Sequence, residues 1–156
     1  MTMKLNDSFS SDHKIIDLIN ALRSKDFHQL RTKSEGLQSL EIDESKPNQI
    51  KISRQINFDI PASAKSLVSN PINLEELWTF QHENKVIIEI SIPNIQTHIK
   101  AEIVFSLQNS KSIASIATSV ESKIFLVSSF AEEFVSKYWK KALGEDFILL
   151  NTWINS

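Results

Sequence analysis

Arg54 is the residue whose setting most invites chemistry. It lies in residues 49–59, QIKISRQINFD, where Ile50, Ile52, Ile56 and Phe58 alternate with Lys51, Ser53, Gln55, Asn57 and Asp59. Alternation of this kind puts Arg54 on the apolar side of a half-buried strand. A guanidinium there needs a partner, because an uncompensated buried charge is costly. Glu89 or Glu102 supplies one only where a bulge or a sheet edge turns it inward. Otherwise Arg54 is a strand-end arginine snorkelling to water, or an anchor that grips the acidic head of a ligand in bidentate fashion.

The other candidates are weaker. None of the four histidines, His13, His28, His82 and His98, is paired with another at three- or four-residue spacing. His82 and Glu83 are adjacent in a strand-like segment and point to opposite faces, which argues against a shared metal and leaves no metal site to name. His82 is the one candidate acid–base near a pocket, against an ordinary reading as a surface or packing histidine. Glu132, Glu133, Glu145 and Asp146 read as helix-end or solvated carboxylates, and Glu75 and Glu76 as part of a connector, so no glycosidase-type pair is assembled. Ser128 and Ser129 lack the flanking glycines of a nucleophile elbow and read as helix caps. Trp78, Phe80, Tyr138 and Trp139, with Ile90, Phe105 and Phe134, either line a small-molecule cavity or fill an ordinary core.

Composition excludes more than it assigns. With 17 basic against 19 acidic residues and no basic block, a nucleic-acid partner is not favoured. The absence of cysteine rules out disulfides, thiolate catalysis and cysteine zinc sites. Two glycines in 156 residues leave no material for a glycine-rich phosphate loop. No signal-peptide core and no run of ~18 apolar residues is present, so the expectation is a cytoplasmic protein without a membrane segment or cofactor.

The elements that position these residues follow from periodicity. Residues 3–10 read as a first strand. Ser11 and Asp12 offer an N-cap to a helix over about 12–23, in which Ile15, Ile16, Leu18, Ile19 and Leu22 share helical spacing. A second short helix runs from Ser24 to about Lys33, with Phe27 and Leu30 as its apolar contacts. Period two then takes over: residues 37–45 and 49–59 form a hairpin about Pro47–Asn48, and residues 60–76 connect it onward, with a short helix around 62–69. Strands follow at 77–83, 86–92, 97–108 and 113–127, with Ile99, Ala101, Ile103, Phe105 and Leu107 on one face of the third. Residues 128–153 are a long amphipathic helix. Phe130, Phe134, Tyr138 and Ala142 lie beside Val135, Trp139 and Leu143 in one broad apolar stripe, which continues past Gly144 or kinks there. Helices segregated from a run of antiparallel strands define an α+β fold: a curved sheet wrapped around the C-terminal helix, with two short helices after the first strand, in one domain over 1–156.

This order of elements resembles the helix-grip superfamily, which includes START lipid-transfer domains, plant pathogenesis-related allergens and polyketide cyclases. It looks closest to an uncharacterised bacterial family within that group. The resemblance is carried by Arg54 in the second long strand, Pro61 after it, Trp78 in the next strand, Pro93 after another, the junction FLVSSFAEE and Trp153 near the end. It spans nearly the whole chain and rests more on the order of elements than on any one motif. The junction departs from the pattern, with Ser128–Ser129 where glycine is usual. The resemblance implies a sheet gripping a helix about an apolar cavity, and no catalytic residues. The expected function is therefore binding of a small hydrophobic or amphipathic ligand, such as a lipid, by a monomer or homodimer, with Arg54 or Tyr138 orienting the polar end. The alternatives are a cyclase- or hydrolase-type enzyme using the same cavity, and a closed-core interaction module.

Overall fold

The structure is a computed structural model that describes residues 2–34, 37–57, 69–123 and 128–155, without the side chains of residues 2, 34, 37–39 and 128–134. Among the described residues seven antiparallel strands form one open sheet: β1 (Thr2–Ser11), β2 (Leu37–Asp43), β3 (Gln49–Ile56), β4 (Ile72–Gln81), β5 (Lys85–Ile92), β6 (Thr97–Gln108) and β7 (Lys111–Ser122). Helices α1 (Ile15–Arg23) and α2 (Lys25–Ser34) follow β1, and α3 (Ser128–Asn155) closes the chain. The sheet order is β1-β7-β6-β5-β4-β3-β2, so consecutive strands from β2 to β7 are neighbours and β1 pairs with β7. The first strand and the last two thus share one side of the molecule.

Strand alternation is regular. In β3 through β7 every second residue is buried, and that face packs under α1, α2 and α3. The branched residues Ile50, Ile52, Ile88, Ile90, Ile99 and Ile103 supply much of it, as expected of side chains suited to a pleated, half-buried surface. The 97–108 strand has the bounds the alternation gives, but Leu107 is exposed because it stands beside the hairpin tip. That hairpin turns through Asn109 and Ser110, both at positive φ (51° and 66°), between the paired Gln108 and Lys111. Two consecutive left-handed residues make the type I′ geometry that matches strand twist. Asn48, His82 and Gln96 take positive φ at other turns, the role glycine would ordinarily fill.

Three expectations about the helices and strands change. α1 begins at Ile15 with Lys14 as its N-cap and no side-chain cap, rather than at Ser11–Asp12. Ser11 Oγ instead accepts from the His13 backbone N–H and donates to Asn151 Oδ1 at 2.6 Å, tying α3 to the end of β1. α2 turns Phe27, His28, Arg31 and Thr32 inward and leaves Leu30 exposed. Those four lie at i, i+1, i+4 and i+5 on one helical face, from which Leu30 is rotated away. The strand placed at 77–83 begins at Ile72, which takes Glu75 and Glu76 out of the connector and into β4. The short helix expected at 62–69 falls almost wholly outside the described residues, as do Pro61, Ile124 and Leu126.

α3 runs unbroken past Gly144. Its buried face includes Val135, Trp139, Ala142, Leu143, Phe147 and Leu150, while Ile148 is turned to solvent. Phe9 of β1 stacks on Phe147 with ring centroids 4.6 Å apart. At α3's far end, the Phe27 and Trp153 rings sit 6.0 Å apart.

Candidate functional site

Between α3 and the middle of the sheet lies a small enclosed space whose walls are apolar except at one end. Leu74, Ile88, Ile90 and Ile99 rise from the sheet, and Tyr138, Trp139 and Leu143 descend from α3. At the polar end stand Arg31, Arg54, Glu76 and Asp146. The cavity volume is about 20 Å³, which is room for about one water molecule.

The polar end is organised on Glu76. By alternation Glu76 shares the inward face of β4 with Leu74 and Trp78, and its side chain is fully buried. Arg54 of β3 is opposite Leu74, so Arg54 and Glu76 are diagonal neighbours on one face. Arg54 Nε donates to Glu76 Oε2 at 2.6 Å. Arg31 Nη2, arriving from α2, donates to Glu76 Oε1, and Trp78 Nε1 donates to the same oxygen at 2.9 Å. Arg31 Nη1 faces Asp146 Oδ2 of α3 at 3.8 Å. The arginine planned for by the sequence thus finds its partner in Glu76 on the adjoining strand, with no bulge and without Glu89 or Glu102.

A buried histidine extends the network. His28 Nε2 lies 2.6 Å from the Leu22 carbonyl, which can only accept, so Nε2 carries the proton. Nδ1 is then the acceptor for Arg31 Nε–H at 2.9 Å. Burial, reinforced by the adjacent Arg31 charge, pushes the His28 pKa down to about 3 and keeps the ring neutral. Burial pushes the Glu76 carboxyl up, but the Arg31 and Arg54 charges and the Trp78 and Arg31 hydrogen bonds outweigh it and hold the group at about 2. The Trp78 ring packs edge-on to His28, centroids 4.7 Å apart, and under the Arg31 guanidinium at 5.1 Å. One hydrogen-bonded chain therefore runs from α1 through α2 to β3 and β4, and an ion pair from Arg31 to Asp146 reaches α3.

The structure sorts the candidate residues named from sequence. Arg54, Trp78, Ile90, Tyr138 and Trp139 meet at this space. Trp139 is held there by its indole N–H, which donates to Thr118 Oγ1 at 3.0 Å. Phe80 is buried elsewhere, beneath Arg23, whose guanidinium carbon is 4.7 Å from the ring centroid. Phe105 is a core residue that does not reach the space. His82, the candidate acid–base, is exposed in the β4–β5 turn at φ 56°, so it stands apart from the site. Phe134 lies on α3, with its side chain outside the described residues. His28, Arg31, Glu76 and Asp146 were missed as site residues. For Glu76 a signal existed: Ile72, Leu74, Glu76, Trp78 and Phe80 alternate without a break.

Among the described residues no group of three or more histidine, cysteine or carboxylate side chains could hold a metal ion. Among them, too, no helix is long and apolar enough to cross a membrane.

An open antiparallel sheet closed over a long C-terminal helix, with two short helices after the first strand, is the helix-grip fold. Solved structures of that class superpose on the chain at low identity. They include the protein Ara h 8.0201 (14% identity, TM-score 0.71, covering 99% of this chain and 98% of that one). The di-domain ARO/CYC StfQ of the steffimycin biosynthetic pathway matches at 9% identity and TM-score 0.75, over 99% of this chain but 51% of its own, so this chain spans about half its length. Norcoclaurine synthase from Thalictrum flavum matches at 9% identity and TM-score 0.69, covering 100% and 88%. At such identities the likeness is one of fold. Within that class the chain belongs to the family described as Protein of unknown function (DUF2505), whose model matches residues 8–154. Comparison with curated protein sequences finds no match.

Proposed function

We propose that this chain binds a small hydrophobic or amphipathic molecule, lipids among them, between the sheet and α3, with its polar end at the Arg31–Arg54–Glu76 cluster. The observation that carries this reading is the gathering of four charged side chains at one end of an otherwise apolar space. A fold that only needed filling gains little from them, since apolar residues of equal volume commonly serve stability as well as a buried ion pair. Within the same fold class, norcoclaurine synthase has been solved with dopamine and hydroxybenzaldehyde. The space is closed to about one water here, so binding requires α3 to move away from the sheet. The apparent affinity is then reduced by the fraction of molecules that are open.

That closure favours a second reading, a closed-core interaction module working as a monomer or as a homodimer through an exposed sheet face or edge. The enzymatic reading has less support. Glu76 stays ionised and His28 stays neutral through the ordinary pH range, so neither is poised to exchange a proton near neutrality.

Native mass spectrometry of protein purified from cells, with a titration by 1-anilinonaphthalene-8-sulfonate, tests the first reading. A co-purified small molecule, or a saturable fluorescence rise near one equivalent that Ala142→Leu removes by filling the space, supports binding. A bare mass and no saturable rise leave the closed-core module, which sedimentation at increasing concentration then examines.

A further inference from the structure

We infer that the outer face of the sheet holds an interface for a second copy of this chain, seated along a diagonal line of apolar residues from Leu77 to Ile113. This narrows the homodimer reading named above and does not depend on a ligand.

The line follows from strand register. Leu77 of β4 stands opposite Glu89, two residues from Ile87 of β5. Ile87 stands opposite Glu102, two residues from Val104 of β6. Val104 stands opposite Ser115, two residues from Ile113 of β7. Each step moves one strand over and one same-face residue along, always in the same sense, so the four side chains form a single diagonal. All four lie on the face that the helices leave uncovered, and Val104 is 40% exposed. Single apolar residues on a wet sheet face are ordinary. Here the charges beside them select a partner.

Lys85 and Glu102 flank the middle of the line and pair across it at 2.5 Å. Lys51 and Glu75 flank its Leu77 end. Both lysines lie on one side of the line and both glutamates on the other. A second copy turned by a two-fold axis along the line therefore sets Lys85 against the partner's Glu102, and Lys51 against the partner's Glu75. Glu89 then meets the partner's Thr79, and Ser106 the partner's Ser115, so along the line no like charges come together. At the centre each lysine lies between two carboxylates, its own and the other chain's. An axis across the line would instead bring lysine against lysine and glutamate against glutamate.

The sheet closes over α3, so its outer face bows outward, and two such faces touch along a line rather than over an area. With strands ~4.8 Å apart and same-face residues ~6.7 Å apart, the line runs about 35° from the strands. The two-fold then crosses the strands of the two copies at about 70°, near the orthogonal class of sheet packing. So narrow a contact belongs at the small end of interface sizes, and its dimer is concentration-dependent.

Sedimentation equilibrium of the full chain, from micromolar to near-millimolar concentration, tests it. The expected result is a monomer–dimer equilibrium that Val104→Asp weakens by about tenfold or more. Lys85→Glu and Glu102→Lys should each be monomeric alone, since like charges then face one another, and should form a mixed dimer when combined. Melting curves confirm that each variant is folded. A dimer unmoved by Val104→Asp, or charge variants that stay apart when mixed, overturns this face and leaves a homodimer through a sheet edge standing. A monomer at every concentration overturns the homodimer altogether.

Discussion

Arg54 Nε lies 2.6 Å from Glu76 Oε2, diagonally across the β3–β4 pair, with both side chains almost wholly out of reach of water. Glu76→Gln would leave Arg31 and Arg54 buried without their shared anion. The expected loss is about 3–5 kcal/mol of unfolding free energy, read as a lower urea midpoint at unchanged slope. Replacing Arg31, Glu76 and Arg54 together by apolar residues of similar volume should recover most of that loss. A triple variant as unstable as Glu76→Gln would show that the cluster is itself a net source of stability.

Acid should weaken the fold through the same residues. His28 is held at about 3 and its unfolded value is 6.5, so the unfolded chain takes up this proton first. The neutral ring's contribution is present above pH 6.5 and is lost as pH falls towards 3. Glu76, at about 2 against 4.5, adds stability present above pH 4.5 and lost as pH falls through 2. Both act in one direction, so urea midpoints should drop steadily below pH 6.5 and faster below 4.5. A His28→Gln variant should be flatter between pH 6.5 and 4.5.

Gly144 sits inside α3, and a Cβ built there meets nothing within 4 Å. Gly144→Ala should therefore raise stability by about 1 kcal/mol through helix propensity alone. Thermal melts of the two chains check it. A destabilised variant would mean that α3 needs to bend at this point.

Ser110 holds φ 66° in the β6–β7 turn. A side chain in the left-handed region costs about 1–2 kcal/mol per residue, and glycine escapes most of it. Ser110→Gly should stabilise by roughly 0.5–1 kcal/mol after the added freedom of the unfolded chain is counted, again read from denaturant midpoints.

Much of the architecture was legible because two periods divide the chain so cleanly. Residues 97–108 alternate through Ile99, Ala101, Ile103 and Phe105, and β6 has those bounds. The Val135–Trp139–Leu143 row and Ala142 give α3 its buried face, with Tyr138 partly buried beside them. The inward position of Arg54 also follows from alternation alone. Its partner was hidden by a boundary. With the strand begun at Leu77, Glu76 looked like connector, although its phase with Leu74 and Trp78 was already inward. Arg31 and His28 were harder to see, since hydropathy marks Phe27 and Leu30 as the buried residues of α2, and beside Phe27 the real inner face is polar. Asp146 reads as a solvated helix carboxylate until tertiary packing brings α2 beneath it.

Strand β1 is paired residue by residue with β7, from Thr2 opposite Glu121 to Ser11 opposite Ser112. The segment of the sheet that leaves the ribosome first must thus wait for one synthesised about a hundred residues later. Until then Met3, Leu5 and Phe9, which pack against the core in the finished molecule, have no surface to settle on. Closing so long a loop carries an entropic cost before any contact repays it, and slows assembly. Nascent chains stalled before β7 should therefore hold this strand open to proteases and chaperones, and its protection should appear only with the last hairpin.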